Sequence, residues 1–372
     1  MKVFILTTVM APYRVQLFSE IGEKCELHVC FEQMRSSERS DKWYDESSAN
    51  FQLVELKKWN ASVETIKFDI IKRIREIKPD VVIAYEYSTK TALFLMSYCQ
   101  LMKIPYIINC DGAFISKSAK DIVKKWFISK ASGFISSGKM ADDYLLHYGA
   151  NEKLIFRNHF TSLHERDVLK FSPTKEEKER IRRENGFTEK HMILSVGQFV
   201  HRKGYDILLK AAASLTDGVG VYIVGGEAVP EYIKMVEELN LKNIHFVDFM
   251  SPDELRSYYL AADLFVLPTR EDVWGLVVNE AMACGLPVVT TDRCVAGIEM
   301  IEDGVNGYLV PVENHEMLSL AINKILSNQI LRDNMADQNI DRIKKYTYET
   351  SSLEIMFAID SVYNSFNKQF GC

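Results

Sequence analysis

The sequence predicts an α/β protein built from two doubly wound parallel sheets. Short apolar runs alternate with helical segments in two successive series, and the series meet near residue 165. A chain of 372 residues is long for a single core, whereas it suits two domains of ordinary size. A hydrophobic content of 47% supplies apolar side chains for both cores. We therefore expect domains at 1–165 and 166–350.

The first series contains five apolar segments with the composition of buried strands. The amino-terminal run is short, lacks a small-residue cleavage site and passes directly into a turn, so it is interpreted as a strand rather than a signal peptide. Helical segments separate several of these runs, which favours parallel pairing. The predicted strands are 3–7, 26–31, 81–84, 106–109 and 133–136.

The second series follows a charged, helix-prone stretch at 174–184, and we expect the linker between the domains at 160–190. An amphipathic helix is expected at 351–370, and the glycines and Asn at 304–307 suggest a hairpin turn. The predicted strands of this series are 192–196, 219–224, 243–247, 264–267 and 287–291.

Composition limits the class of protein. No run of 18 apolar residues occurs, so no transmembrane helix is expected. Seven cysteines without metal-ligand spacing favour buried thiols in a reducing cytosol. The net charge of −6 is uneven: residues 1–165 hold 23 Lys and Arg against 20 Asp and Glu, which leaves 22 against 31 for residues 166–372. The amino-terminal half is therefore the basic one.

The excess of positive charge is concentrated at 117–130, which has five lysines and one acid interleaved with apolar and aromatic residues. A basic helix with an aromatic residue on its apolar side can lie on an anionic membrane surface. A helix packed on its own sheet with a solvated lysine face is an equally good interpretation. No nucleic-acid motif accompanies the charge, so nucleic acid is not expected as a partner. We expect a cytoplasmic protein, with the inner membrane face as a possible site of action.

The segment 268–289 combines a turn, two spaced acids, a helix of small residues and a buried strand. The apolar run at 264–267 indicates a strand that delivers the chain to this loop. Asp272 lies in the loop, and Glu280 follows eight residues later within a helix that ends near Gly285. The acids therefore lie beyond the carboxyl end of a strand, where open α/β sheets bind ligands.

This segment resembles the signature of the family-4 retaining glycosyltransferases of the GT-B type, which belong to glycosyl transferases group 1. The family pattern has two glutamates separated by seven residues, then a small-residue helix and a Gly-x-Pro-Val-Val strand. The resemblance implies two Rossmann-like domains that face a cleft, with 351–372 as a helix crossing back to the first domain. It also implies that Glu280 holds the ribose of a nucleotide. Asp272, or the neighbouring Glu271, would contact the donor sugar.

The resemblance also assigns the surroundings of these acids. Backbone amides would approach the sugar or the diphosphate at three positions, Trp274, Gly275 and Leu276. Upstream, Lys203 and Gly204 match the family's Lys-Gly before a helix, whereas Gln198 stands where the family has Arg. Arg202 is then the candidate for the second positive charge. Cations before a helix suit a diphosphate, because backbone amides and the helix dipole add to their charge.

The amino-terminal half contains three further candidate binding residues and one position that differs from the family pattern. Asp111 stands where many family members have a His that contacts the donor sugar, and an ionised carboxylate accepts hydrogen bonds but cannot donate them. Tyr13 and Arg14 follow the first predicted strand, and Glu86 follows a later one. They are candidates for binding the acceptor or a phosphate, and the alternative for Arg14 is that it caps its own loop.

The resemblance implies a hexosyltransferase that moves sugar from a UDP- or GDP-sugar to a glycan or lipid-linked acceptor, with retention of configuration. It further implies catalysis without a bound metal or cofactor, in which Lys203 stabilises the charge that grows on the leaving diphosphate. The alternatives are a GT-B nucleotide-sugar epimerase and a catalytically inactive binding subunit. A Rossmann dehydrogenase is disfavoured because no Gly-x-Gly-x-x-Gly follows the first strand.

Overall fold

The computed structural model describes residues 1–33, 49–57, 65–115 and 121–370. These residues form two compact units. Unit 1 comprises Met1–Thr161 together with the chain from Tyr346 onward, and unit 2 comprises Ser162–Lys345. Each unit is built on one parallel sheet.

The sheet of unit 1 has seven strands, and each described pair of neighbours is parallel. The strands are β1 (Lys2–Val9), β2 (Glu26–Gln33), β3 (Gln52–Leu53), β4 (Val81–Ala84), β5 (Tyr106–Cys110), β6 (Gly133–Ser136) and β7 (Ile155–Arg157). They are arranged in the order β3-β2-β1-β4-β5-β6-β7. The order reverses direction between β1 and β4, which makes that junction the topological switch point.

Helices cover both faces of this sheet because successive strand residues point to opposite sides. In β1, Phe4 and Leu6 belong to one core, whereas Val3 and Ile5 belong to the other. The helices of unit 1 are α1 (Pro12–Gly22), α2 (Ile70–Ile77), α3 (Lys90–Met102), α4 (Asp121–Ile128), α5 (Lys139–His147) and α14 (Tyr348–Phe370). Helix α14 packs on α1, and it contributes Ile355, Ala358, Ile359 and Val362 to the second core.

The sheet of unit 2 has six parallel strands. They are β8 (His191–Val196), β9 (Val219–Val224), β10 (Ile244–Val247), β11 (Leu264–Leu267), β12 (Val288–Thr291) and β13 (Gly307–Val310), in the order β10-β9-β8-β11-β12-β13. The helices are α6 (Lys175–Asn185), α7 (Tyr205–Ala212), α8 (Pro230–Glu238), α9 (Pro252–Ala261), α10 (Leu276–Ala283), α11 (Val295–Met300), α12 (His315–Leu326) and α13 (Gln329–Ile343).

Local signals in the sequence explain where several helices of unit 2 begin. Thr174 and Glu177 form a reciprocal capping box at the start of α6, and Ser251 and Glu254 form another at α9. Each box satisfies two backbone N–H groups that would otherwise lack a partner at the helix start. The charged stretch predicted as a helix at 174–184 is therefore confirmed as α6.

The predicted fold class is confirmed, and all ten predicted strands occur within two residues of their expected ends. Three strands were not predicted: β3, β7 and β13. They are short and none is fully buried, so none forms the continuous apolar run that identified the others. The hairpin expected at 304–307 is wrong, because this turn leads into β13, which pairs in parallel with β12.

Helix α4 presents apolar side chains to solvent. Ile122 is 81% exposed and Trp126 is 48% exposed, whereas Phe127 and Ile128 are buried. The basic segment predicted at 117–130 is thus helical from Asp121, and its residues before Asp121 lie outside the described part of the chain.

One lysine of α4 turns inward. The Lys124 ammonium lies 5.6 Å from the ring centroid of Tyr144 and 5.2 Å from that of Tyr148, distances typical of cation–π contacts. Helix α4 thus packs on its unit through Phe127 and Ile128, as one interpretation expected, while its exposed surface mixes apolar side chains with Lys125.

The described cysteines are free thiols, and all of them except the partly exposed Cys25 are buried. Cys372 lies outside the described residues. None of the described helices has both the length and the apolar composition of a membrane span.

Candidate active site

The candidate site of unit 2 lies beyond the carboxyl ends of β8 and β11. These strands are neighbours, and the strand order reverses direction between them. Loops that leave such a junction diverge over opposite faces of the sheet and open a crevice for ligands. The segments that the sequence analysis selected after each strand, 197–204 and 268–275, therefore meet at one point of the fold.

An ion pair joins the two loops. Lys203 lies in a short turn, His201–Lys203, and its Nζ is 2.7 Å from Oδ2 of Asp272. The two side chains are 9% and 11% exposed, so solvent screens their attraction less than at the surface. An ammonium has three donors, and one contact with Asp272 leaves others for a further acceptor. The pair thus both fixes the loops and retains hydrogen-bonding capacity.

The side chains of Arg202 and Glu271 are more exposed to solvent than the buried ion pair. Arg202 is 47% exposed, and its Nη1 lies 3.5 Å from Oδ2 of Asp272. Glu271 is 53% exposed and accepts a hydrogen bond from Nη2 of Arg293 at 2.7 Å. Of the two acids considered for this loop, Asp272 is therefore the one that contacts Lys203.

Glu280 lies on α10 and is partly buried. Its Oε2 accepts a hydrogen bond from the Tyr259 hydroxyl at 2.9 Å, and its Oε1 accepts one from the Ser162 hydroxyl at 3.2 Å. Burial raises the pKa of Glu280, while these hydrogen bonds and the charge of Lys203 oppose the shift. Lys203 and Glu280 therefore share one electrostatic environment.

The three positions named for backbone contacts differ in structure. The Trp274 side chain is 2% exposed and donates from Nε1 to Oδ1 of Asn279 at 2.9 Å, so the indole belongs to the core. Gly275 caps α10 with a φ of 102°, and Leu276 is the first residue of that helix. The first N–H groups of a helix have no intrahelical acceptor, which suits the amide of Leu276 to an anion.

Two glycines allow the close approach of these loops. A β-carbon on Gly204 would lie 2.1 Å from the carbonyl oxygen of Pro268, so the backbone of the basic turn crosses directly over the loop after β11. A β-carbon on Gly197 would lie 3.0 Å from Cε of Lys203, the space that the lysine uses to reach Asp272. Gln198 follows Gly197 and is partly exposed.

Unit 1 carries its own charged pair. Nη2 of Arg14 donates to Oδ2 of Asp111 at 2.6 Å, and Nδ2 of Asn109 donates to Oδ1 at 2.6 Å. Cζ of Arg14 also lies 4.7 Å from the ring centroid of Tyr85 and 5.4 Å from that of Tyr13. The guanidinium is thus enclosed by aromatic faces and its charge is balanced by Asp111. Arg14 lies in α1, and its guanidinium bonds a residue that follows β5 rather than capping its own loop.

The other candidates of unit 1 make local contacts. Glu86 accepts hydrogen bonds from the backbone N–H and the hydroxyl of Ser88, at 3.1 and 2.6 Å, which fixes the turn after β4. Tyr13 packs edge-on against Phe160 with ring centroids 5.7 Å apart.

Sequence reasoning missed two residues of the unit 2 site. Tyr259 lies on α9 and reaches Glu280 from 21 positions away, and Arg270 contacts residues 64 and 43 positions away. No motif marks either residue, and both are found by their contacts in the folded chain. Asn109 of unit 1, which holds Asp111, escaped notice for the same reason.

Comparison with known proteins relates unit 2 to a described protein family. Residues 177–342 match the family model described as glycosyl transferases group 1. The chain is 30% identical over 212 residues to D-inositol 3-phosphate glycosyltransferase of Corynebacterium glutamicum. The aligned region covers 53% of this chain and 49% of that relative. The chain spans about half the length of the curated relatives it matches. The family resemblance is therefore supported over unit 2.

Solved structures establish the fold over both units. Sucrose-phosphate synthase from Thermosynechococcus elongatus aligns with a TM-score of 0.78 at 19% identity, covering 98% of this chain and 100% of that one. Anabaena Alr3699/HepE, solved in complex with UDP, also has a TM-score of 0.78, at 16% identity over 97% of this chain and 100% of that one. The architecture is thus the GT-B fold.

Proposed function

We propose that this protein is a retaining glycosyltransferase that moves a hexose from a UDP- or GDP-sugar to a glycan or lipid-linked acceptor. The observation that carries the proposal is the pairing of Lys203 with Asp272, beside Arg202, in the same electrostatic environment as Glu280. These four side chains provide cations for a diphosphate and an acceptor carboxylate for ribose hydroxyls.

The chemistry follows from the charges. When the bond between the sugar and the diphosphate breaks, negative charge grows on the leaving group. Lys203 and Arg202 stabilise that charge more in the transition state than in the ground state, which is the condition for catalysis. Asp272 neutralises one of the two cations, and its carboxylate is a candidate contact for the donor sugar. In this proposal the cationic side chains make a bound metal unnecessary, and the sugar is transferred with its configuration retained.

Unit 1 is the proposed source of acceptor contacts. Asp111 replaces the His that the family resemblance led us to expect, and Arg14 together with Asn109 holds its carboxylate. We infer that Asp111 accepts a hydrogen bond from a sugar or acceptor hydroxyl, because an ionised carboxylate has no proton to donate.

A membrane acceptor is supported by α4. Its exposed Ile122 and Trp126 lie beside Lys125 in a segment of positive charge, a combination that suits an anionic lipid surface. We propose that the protein binds a membrane peripherally through this surface and acts at its cytoplasmic face.

The test is the release of nucleotide from a panel of UDP- and GDP-sugars by purified protein, with and without a membrane lipid extract. Release that needs one donor and rises with lipid is the expected result. Conversion of a donor to its epimer without release would instead support an epimerase, and binding without turnover would support an inactive binding subunit.

A further inference from the structure

We propose that Arg270 is a positioning residue, which holds the turn His201–Lys203 so that its cations face the diphosphate of the donor. Arg270 lies in the loop after β11, two residues before Asp272. The inference rests on the proposed function, because the turn is assigned to a diphosphate there. It assigns a role to a residue that is expected to touch neither the sugar nor the nucleotide.

The loop after β11 holds the turn by its carbonyl groups. Nη1 of Arg270 donates to the carbonyl oxygen of His201 at 2.8 Å, and the backbone N–H of Arg270 donates to that of Arg202 at 2.7 Å. The hydroxyl of Thr269 donates to the same Arg202 oxygen at 2.8 Å. These three bonds fix the backbone of both residues that precede Lys203.

The same guanidinium ties the turn to two other segments. Nη1 and Nη2 of Arg270 each lie 2.8 Å from a carboxylate oxygen of Asp206, which is in the first turn of α7. Nε bonds Oε1 of Glu313, and Nη2 lies 3.4 Å from its Oε2. Two-point contacts between Arg and a carboxylate fix the orientation of both groups as well as their distance. The beginning of α7 and the loop before α12 are therefore locked to the basic turn.

Glu313 adopts an uncommon backbone conformation at this point. Its φ is 65°, in the left-handed region that residues other than glycine adopt rarely. The surrounding structure maintains this conformation while the carboxylate of Glu313 contacts Arg270.

The number of N–H donors on Arg270 shows whether its side chain can bind a phosphate directly or only position the turn. An arginine side chain has five N–H donors. Those of Arg270 point to the His201 carbonyl, to both carboxylate oxygens of Asp206 and to both of Glu313. Its side chain is also only 15% exposed. Arg270 thus has no donor left for a phosphate, whereas the neighbouring Arg202 is 47% exposed.

The experiment measures the affinity of wild-type and variant proteins for UDP and GDP by calorimetry. Arg270→Gln is expected to weaken binding of the preferred nucleotide about tenfold, and Glu313→Gln about threefold. The matched control is Arg342→Gln, because Arg342 also donates to a carbonyl, that of Met300, and to a carboxylate, that of Glu302. This control is expected to bind within twofold of wild type.

A double-mutant cycle tests whether Arg270 acts through Lys203. In a Lys203→Ala background, Arg270→Gln is expected to weaken binding less than about fivefold, since one of the two cations that it positions is gone and only Arg202 remains. A folded Arg270→Gln protein that binds like wild type would overturn the inference. An equal loss in both backgrounds would also overturn it, because that outcome indicates general disruption of the unit.

The rate of limited trypsin cleavage after Arg202 measures how firmly the turn is held, and this measurement needs no nucleotide. If Arg270 holds the turn, Arg270→Gln is cut there at least tenfold faster than Arg342→Gln. Failure of wild type to bind either nucleotide would count against the proposed function. Cleavage at equal rates in the two variants would contradict the role of Arg270 in positioning the turn. The proposed function and the positioning role are therefore tested by different results.

Discussion

The two units each place a cation and an aspartate together at the carboxyl ends of a parallel sheet. Arg14 bonds Asp111 at 2.6 Å in unit 1, and Lys203 bonds Asp272 at 2.7 Å in unit 2. Their surroundings differ. Aromatic rings enclose Arg14, and Asp111 balances its charge. The pair in unit 2 has a second cation beside it, because Arg202 is 47% exposed and lies 3.5 Å from the same Asp272 oxygen.

The difference indicates which unit attracts an anion. The enclosed pair in unit 1 carries no net charge, so it attracts a phosphate less strongly, although Nη1 of Arg14 is buried without a hydrogen-bond partner in the described part of the chain. A pair with an additional cation binds an anion without giving up its internal contact. Nearly equal distances between charged atoms thus accompany different proposed roles: Asp111 of unit 1 is the proposed contact for a hydroxyl group, and the cations of unit 2 are the proposed contacts for an anion.

The largest expected effect comes from Lys203→Met. Removing the ammonium takes away the buried charge that is proposed to face the leaving diphosphate, and kcat/KM for the donor should fall about 10³-fold, or ~4 kcal/mol. Nucleotide release measures this, with Lys210→Met on the exposed side of α7 as the control. A fall in kcat/KM of less than tenfold would contradict the conclusion that the charged pair of unit 2, unlike that of unit 1, acts on an anion.

Arg14→Met should act on stability instead. It leaves the Asp111 carboxylate without its cation, so the free energy of unfolding should fall by about 3 kcal/mol in urea titrations. Nucleotide affinity should stay within twofold of wild type. Pairing the change with Asp111→Leu should restore part of the stability, because no uncompensated charge then remains. A large loss of nucleotide affinity in folded Arg14→Met would indicate that unit 1 also binds the anion.

Nucleotide affinity should depend on pH through Glu280. Its pKa is raised above the ordinary carboxyl value of about 4.3, and in the proposed function its ionised form accepts hydrogen bonds from ribose hydroxyls. Affinity is therefore full above the raised pKa and falls up to tenfold per pH unit below it. Stability changes in the opposite direction, since a raised pKa in the folded state means that protonation favours folding. Calorimetry at stepwise lower pH should show this slope, and Glu280→Gln should remove it apart from the contribution of the nucleotide's own phosphate.

Arg202→Ala should have the smallest effect. Its side chain is 47% exposed, so solvent screens its charge, and nucleotide affinity should fall about fivefold, or ~1 kcal/mol. The loss should shrink in 1 M salt, where the screening length is about 3 Å. An effect as large as that of Lys203→Met, independent of salt, would mean that Arg202 becomes buried when the nucleotide binds.

The sequence predicted the elements that have a strong local signal. Ten strands follow continuous apolar runs, and α6 follows its capping box at Thr174. Lys203, Asp272 and Glu280 were selected through their resemblance to a family motif, and the fold brings Lys203 and Asp272 into contact. Short strands at sheet edges, such as β3, escaped because a strand of two exposed residues has no hydrophobic pattern.

Other features depend on tertiary contacts that spacing does not encode. Periodicity identified an apolar side of α4, but whether it faces the core or solvent is set by neighbouring elements, and Lys124 packs inward on Tyr144. Arg270 looks like an ordinary loop residue in the sequence. Its partners Asp206 and Glu313 lie far from it along the chain, so its role becomes visible only once the strands have paired.

The discontinuity of unit 1 has a consequence for synthesis on the ribosome. Unit 2 is a single stretch, Ser162–Lys345, and can fold as soon as that stretch has emerged. Unit 1 needs α14, whose Ile355 and Ile359 complete one of its cores, although most of the unit was translated much earlier. The nascent chain therefore exposes the apolar surface of α1 and β1 while unit 2 is being made. Chaperone binding is expected to concentrate on that surface until α14 has been translated.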